Sequence, residues 1–209
     1  MIKQEAFDEN TRRYEKWFER NEFVYRSELE AVEELLPHKG KGIEIGVGTG
    51  RFSHPFSIKF GLDPSMNMLK IAKEKGIEVV KAIGEKIPFS DRSFDFVLIV
   101  TTICFFDEPF TALKESARIL KDDGSIIIGF IDKESKVGKI YQKKKENNVF
   151  YREASFFDVK TVVDLLERSG FHDFSFAQTI FRNLDIGCIE KPQKGYGKGS
   201  FVVVKGKKN

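Results

Sequence analysis

The chain has 209 residues, 41% of them hydrophobic, and its 35 basic and 32 acidic residues give a net charge of only +3. This length suits one globular domain that buries roughly 70% of its unfolded surface, and the charge alone does not indicate a dedicated nucleic-acid protein. Cys104 and Cys188 have no neighbouring ligands, which argues against a disulfide framework or a metal site. The longest apolar run, Phe96 to Phe106, is far below the ~20 residues that span a bilayer, so we expect a cytoplasmic protein.

Two amphipathic helices are predicted before the first strand. Tyr14, Trp17 and Phe18 follow helical spacing and mark the first helix. The segment Ser27 to Glu30 has the pattern of a capping box, which predicts that the second helix begins there and ends at Pro37.

The remainder of the chain alternates apolar strands with helices. We predict seven strands, at residues 43–45, 60–63, 78–81, 94–100, 126–130, 174–181 and 201–205. Helices are predicted around residues 52–56, from Met66 to Gly76, from Pro109 to Leu120, and from a capping box at Ser155 to Gly170. Such alternation indicates an α/β fold with a doubly wound, mainly parallel sheet, which binds ligands where the strand order reverses.

A glycine-rich turn, Gly46-Val47-Gly48-Thr49-Gly50, follows the first strand. A phosphate-binding loop would need a lysine and then Ser or Thr after the last glycine, where this chain has Arg51-Phe52. A dinucleotide fingerprint needs G-x-G-x-x-G, which is one residue longer. Both interpretations of the glycine turn therefore fit poorly. A third interpretation rests on four sequence segments and on their order along the chain.

Those segments are Glu44 to Gly50, Gly61 to Leu69, Ile87 to Val97, and Glu115 to Gly124. Their order and spacing resemble the motifs of class I S-adenosylmethionine-dependent methyltransferases, in particular methyltransferase type 11 and the ubiquinone/menaquinone biosynthesis methyltransferases. The resemblance covers most of the chain and implies one domain, residues 1–209. It consists of a helical lid (1–38) over a cofactor-binding core (39–209), a Rossmann-like sheet with an antiparallel last strand.

The resemblance also implies which residues bind S-adenosylmethionine. Asp63, at the end of the second strand, would accept hydrogen bonds from the ribose, and Gly46 and Gly48 would let the methionine part approach the backbone. The full predicted set is Glu44, Gly46, Val47, Gly48, Asp63, Pro64, Ile83, Gly84, Glu85 and Thr101. Ile83 stands where many relatives have an acid that binds the adenine amino group, so we expect it to cover the adenine face instead.

The acceptor substrate is expected to be a small, partly apolar or aromatic molecule. The predicted acceptor-binding residues are the lid aromatics Tyr14, Trp17, Phe18 and Tyr25, together with Phe105. No catalytic base is assigned, because His54 and the other two histidines fit surface or packing roles. Two alternatives stay open: a methyltransferase acting on RNA or protein, suggested by the lysines at 143–145 and 191–198, and a non-catalytic cofactor-binding module.

Overall fold

Three helices, not the expected two, precede the first strand in the computed structural model, which describes residues 2–209 and side chains from residue 5. They are α1 (Ile2–Glu9), α2 (Thr11–Arg20) and α3 (Glu22–Glu33). The side-chain amides of Asn10 and Asn21 donate to the carbonyl oxygens of Ala6 and Trp17, four residues earlier, at 2.9 and 2.8 Å. Each asparagine thus competes with the backbone ladder and ends its helix. Met1, the first residue of the predicted lid, lies outside the described residues.

Ser27 does not cap a helix, contrary to the sequence prediction. It lies inside α3, where its hydroxyl donates to the carbonyl oxygen of Phe23 at 2.7 Å and accepts from the backbone N–H of Glu190 at 2.8 Å. A buried serine can satisfy its hydroxyl in this way within a helix, so the S-x-x-E spacing alone was misleading. The contact also fixes α3 to the loop before the last strand.

The sheet has eight strands, one more than expected, in the order β3-β2-β1-β4-β5-β8-β6-β7. The strands are β1 (Gly42–Ile45), β2 (Phe60–Asp63), β3 (Glu78–Lys81), β4 (Phe94–Val100), β5 (Leu120–Ile131), β6 (Phe171–Thr179), β7 (Gln193–Lys194) and β8 (Phe201–Lys208). The first five are parallel, and β8 runs antiparallel to both β5 and β6. The predicted α/β fold with an antiparallel last strand is confirmed; the extra strand is the two-residue β7, too short to leave a sequence pattern.

β4 lies at the centre of the molecule and is buried on both faces. Val97 and Ile99 pack into one apolar cluster with α5 (Pro109–Ile119) and α7 (Val159–Arg168). Phe96, Leu98 and Val100 point to the opposite face and join the cluster that contains α2 and α3. This two-sided burial accounts for the unbroken apolar sequence of the strand.

Two other helix predictions need correction. Residues 51–57 form turns, since Pro55 and a positive φ of 56° at Ser57 leave no room for the predicted helix. α7 begins at Val159, not at Ser155, because the carboxylate of Asp158 accepts from the backbone N–H of Thr161 at 2.7 Å. α4 (Met66–Glu74) and α6 (Lys136–Lys144) complete the helices, and none among the described residues is long and apolar enough to cross a membrane.

Arg118 on α5 clamps the loop that leads into β4. Its guanidinium donates to the carbonyl oxygens of Ile87 and Phe89 at 2.9 and 2.8 Å, while Glu115 accepts from the guanidinium and from the Ile87 N–H. The pair therefore satisfies backbone groups that the loop itself leaves unpaired. This is the physical role of the E-x-x-R segment noted in the sequence.

We expect Arg118→Ala to lower the free energy of unfolding by about 1.5 kcal/mol, because the loop carbonyls lose charged donors. Urea unfolding followed by circular dichroism measures the change. Arg92→Ala is the matched control, since Arg92 forms an exposed ion pair with Asp122 at 3.3 Å and should change stability little. Equal stability of the two variants would contradict the stabilising role of the hydrogen bonds from Arg118 to the loop.

Candidate functional site

A cavity of about 350 Å³ opens at the carboxyl ends of β1, β2 and β4, where the strand order reverses. Eight of the ten predicted cofactor-binding residues line it: Gly46, Gly48, Asp63, Pro64, Ile83, Gly84, Glu85 and Thr101. Four of the five predicted acceptor-binding residues also line it: Tyr14, Trp17, Phe18 and Phe105. The topology thus brings the glycine turn and the lid aromatics to one compartment.

The glycine turn approaches its neighbours too closely for any side chain. Gly46 has a φ of +74°, and a Cβ there would lie 2.2 Å from Cγ2 of Thr102, whose hydroxyl donates to the Gly46 carbonyl oxygen at 3.3 Å. Gly48 has a φ of +52°, and a Cβ there would lie 3.3 Å from the Tyr14 hydroxyl oxygen. Only glycine combines this backbone with this spacing, so bare backbone faces the cavity.

Asp63 is held in one orientation by backbone donors. Its Oδ2 accepts from the N–H of Gly48 at 3.0 Å, and its Oδ1 accepts from the N–H of Ser65 at 2.9 Å. Burial, together with the nearby carboxylate of Asp8, raises the pKa of Asp63 to about 6 despite these hydrogen bonds. Each oxygen keeps a second lone pair for a ligand hydroxyl.

Glu44 and Val47 lie behind the cavity wall and do not line it. Glu44 is buried, accepts from the Ser53 hydroxyl at 2.5 Å, and has its pKa raised to about 8, chiefly by burial. Val47 packs under the turn against Gly61. Neither side chain is among the residues that line the cavity, and contact of Glu44 or Val47 with a cofactor stays a prediction.

The segment after β3 forms a third side of the cavity. Ile83 is 49% exposed and presents its apolar side chain there, while Gly84 leaves room for the ring of Phe106. The Glu85 carboxylate accepts from the backbone N–H groups of Asp107 and Glu108 at 2.8 and 3.2 Å. The side chain of Glu85 therefore positions the loop after β4.

Two polar contacts hold the first two helices over the glycine turn. On α1, Asp8 accepts from the Ser65 hydroxyl at 2.5 Å. On α2, Glu15 accepts from the Thr49 hydroxyl and pairs with Arg51 at 2.6 Å. Burial alone would raise the pKa of Glu15, but the hydrogen bonds from Arg51 and Thr49 lower it, so this carboxylate stays ionised.

Tyr25, predicted to lie on the acceptor wall, is not among the residues that line the cavity. Its hydroxyl donates to the carbonyl oxygen of Arg51 at 2.5 Å, and its ring packs edge-on against Phe18 and Phe52. The residue supports the wall from behind. None of the three histidines lines the cavity either, and Nδ1 of His54 instead lies 3.2 Å from the carbonyl oxygen of Lys75.

Several wall residues escaped the sequence analysis because they come from segments without a family motif. The main ones are Phe7, Glu28, Tyr141, Asn148, Phe150, Tyr151 and Leu184. Their rings form a continuous set: Phe7 packs against Phe105 and Phe150 at 5.0 and 5.1 Å between centroids, and Tyr151 stacks on Tyr141 at 4.9 Å. The aromatic residues within and after the lysine-rich segment that follows β5 were the sequence signal that could have identified this part of the cavity wall.

Comparison with known proteins gives consistent matches. The sequence profile described as "Methyltransferase domain" matches residues 43–128. The chain is 46% identical to an uncharacterized protein of Methanocaldococcus jannaschii over 97% of this chain and 98% of that protein. It is 38% identical to a ubiquinone/menaquinone biosynthesis C-methyltransferase of Campylobacter jejuni, over 38% of this chain and 35% of that protein.

A solved structure with high sequence identity covers nearly the whole chain. It is a crystal structure from Thermotoga maritima, described as an S-adenosylmethionine-dependent methyltransferase and a possible histamine N-methyltransferase. Sequence identity is 48% and the TM-score is 0.96, with 98% of this chain and 99% of that chain covered. The fold of this chain is thus shared with that protein.

Proposed function

The chain belongs to the S-adenosylmethionine-dependent methyltransferases, and from this premise we propose that its cavity holds the cofactor at the glycine turn and a small, partly apolar acceptor against the aromatic wall. The single observation that carries the proposal is that both sets of residues line one cavity of about 350 Å³. Residues 1–38 would then act as a lid on the core formed by residues 39–209. Cavities of this size and lining suit small ligands.

The cofactor contacts follow from the geometry of the turn. Asp63 would accept from the ribose hydroxyls with the lone pairs that Gly48 and Ser65 leave open. The bare backbone of Gly46 and Gly48 would face the methionine part, and Ile83 would cover the adenine by apolar contact. Glu44 accepts a hydrogen bond from Ser53 and would support the turn.

The reaction requires little from the protein beyond alignment and exclusion of water. A bound sulfonium supplies an electrophilic methyl group, which passes to a nucleophile of the acceptor. The aromatic wall keeps water out, and the turn and wall hold the two reactants in line, an effect that reaches effective molarities of ~10⁵–10⁸ M. The three histidines do not line the cavity, and no catalytic base is assigned.

The test is calorimetry followed by an acceptor screen. We expect S-adenosylmethionine and S-adenosylhomocysteine to bind, and absence of binding at millimolar concentration would reject the enzymatic proposal. Formation of S-adenosylhomocysteine is then measured with small amines, phenols and thiols, with histamine included because of the description of the Thermotoga maritima relative. Salt-dependent binding to total RNA would instead favour the alternative of an RNA methyltransferase.

Cofactor affinity should depend on pH because Asp63 titrates near pH 6. Below that pH the carboxyl is neutral and loses its charge-assisted acceptor capacity, so we expect affinity to be constant above pH 7 and to fall up to about tenfold at pH 5. Glu28 and Glu44, with pKa values raised to about 8, stay neutral over this range. Titration calorimetry from pH 5 to 7.5 measures the effect, and Asp63→Asn should give a flat profile. A wild-type profile equally flat would contradict the assignment.

A further inference from the structure

Glu28 is a buried acidic residue whose side chain lines the cavity. It lies on α3 with 4% of its surface exposed, and it lines the cavity. Within residues 5–209, no group donates a hydrogen bond to its carboxyl and no cation pairs with it. A buried carboxyl without a partner is unfavourable, so a polar ligand group is expected to supply one.

The surroundings of Glu28 are aromatic. Trp17 and Phe18 on α2 lie with ring centroids 5.1 Å apart, and Tyr141 and Tyr151 stack at 4.9 Å, all four on the cavity wall. The faces of aromatic rings attract cations, most strongly where water is excluded. An acid among such rings therefore suits a positively charged group of modest size.

The charges of the other residues that line the cavity also favour a positively charged acceptor. No lysine, arginine or histidine of the described chain lines it. The carboxylates of Asp63 and Glu85 are already held by backbone N–H groups. With no positive charge on the wall, the cavity disfavours an acceptor that carries a phosphate or carboxylate group.

We propose that the acceptor is a small aromatic or alkyl amine whose protonated nitrogen pairs with Glu28 inside the aromatic wall and returns its proton to the Glu28 carboxylate before its lone pair accepts the methyl group. The inference rests on the proposed function, because it names the substrate class of the same cavity. It also assigns an acceptor-binding role to a residue outside the family motifs. The aromatic rings hold the carbon skeleton, and Glu28 selects for the nitrogen.

Pairing at Glu28 also changes the proton balance. Burial raises the pKa of Glu28 to about 8, so the free carboxyl holds a proton at pH 7. A bound ammonium group favours the ionised carboxylate, and binding therefore releases about one proton at pH 7. Burial likewise raises the pKa of Tyr141 and Tyr151, which stay neutral and do not contribute.

The experiment uses the full chain saturated with S-adenosylhomocysteine. Two pairs of probes are compared by titration calorimetry: 2-phenylethylamine with 2-phenylethanol, and butylamine with butanol. We expect at least one amine to bind at least tenfold more tightly than its alcohol and to release about one proton, measured in buffers of different ionisation enthalpy.

Glu28→Gln keeps the shape and removes the charge. We expect it to lower amine affinity at least tenfold, to leave alcohol affinity unchanged and to abolish proton release. Glu33→Gln, the same change at an exposed position of α3, is the matched control and should match the wild type. Glu28→Met, of similar length, serves as a second variant if Glu28→Gln does not fold.

The outcomes separate this inference from the proposed function. Unchanged amine affinity in Glu28→Gln, equal affinity for amine and alcohol, or no binding of either amine overturns the inference while S-adenosylhomocysteine still binds. Failure of S-adenosylhomocysteine to bind the wild-type chain overturns the proposed function itself. Persistence of proton release in Glu28→Gln would assign the proton to another group and also overturn the role of Glu28.

Discussion

Gly46→Ala is expected to lower the free energy of unfolding by about 2–5 kcal/mol and to abolish measurable cofactor binding. Two costs combine. An alanine at a φ of +74° is strained by about 1–2 kcal/mol, and its Cβ would overlap the Thr102 side chain at 2.2 Å, a form of overpacking that adds about 1–3 kcal/mol. The turn must then move, and the backbone that faces the cofactor moves with it.

Gly76→Ala is the control for strain without overlap. Gly76 has a similar φ of +81°, yet no heavy atom lies within 4 Å of an added Cβ. We expect this variant to lose only about 1–2 kcal/mol and to keep its cofactor affinity. Thermal unfolding and calorimetry of both variants give the comparison. Similar losses in the two would show that the contact with Thr102 is not responsible.

Asp63→Ala is expected to weaken cofactor binding about ten- to a hundredfold, because the ribose loses a charge-assisted acceptor worth roughly 1.5–3 kcal/mol. The same change leaves the N–H groups of Gly48 and Ser65 without their side-chain partner. Calorimetry with S-adenosylhomocysteine therefore needs a stability measurement beside it. Affinity is compared at a temperature where the variant is fully folded.

Two further variants make the Asp63 result specific. Asp63→Asn can still accept one backbone hydrogen bond, so we expect it to keep more stability than Asp63→Ala while it still binds cofactor weakly. Asp164→Ala removes an exposed carboxylate that pairs with Arg168 on α7 and should leave affinity unchanged. Wild-type affinity in Asp63→Ala would refute the placement of the ribose.

The central fold could be predicted from sequence because its signals are local and strong. β4 was predicted with the bounds that it has, since an almost unbroken apolar run rich in β-branched residues is typical of a central strand, and six of its seven residues are buried. α5 begins at Pro109 as expected, because proline suits the first turn of a helix. The glycine turn was informative for the same reason: positive φ and close approach restrict it to glycine.

The errors arose where a distant contact overrides a local pattern. Ser27 has the spacing of a cap but bonds to Glu190, 163 residues away, and no sequence pattern records that partner. Tyr25 follows the helical spacing of the lid aromatics but turns its hydroxyl to Arg51. Glu28 was passed over because it lies inside the segment interpreted as a capping box. Tertiary contacts, rather than propensity, decided the positions of Ser27 and Tyr25.

The two walls of the cavity come from different stretches of chain. The glycine turn, Asp63 and Thr101 lie within residues 43–128, the part that matches the methyltransferase profile. Trp17, Glu28 and the rings around Tyr151 lie outside it. On the proposed assignment, mutation of residues outside 43–128 can remodel the acceptor wall while the cofactor wall is preserved.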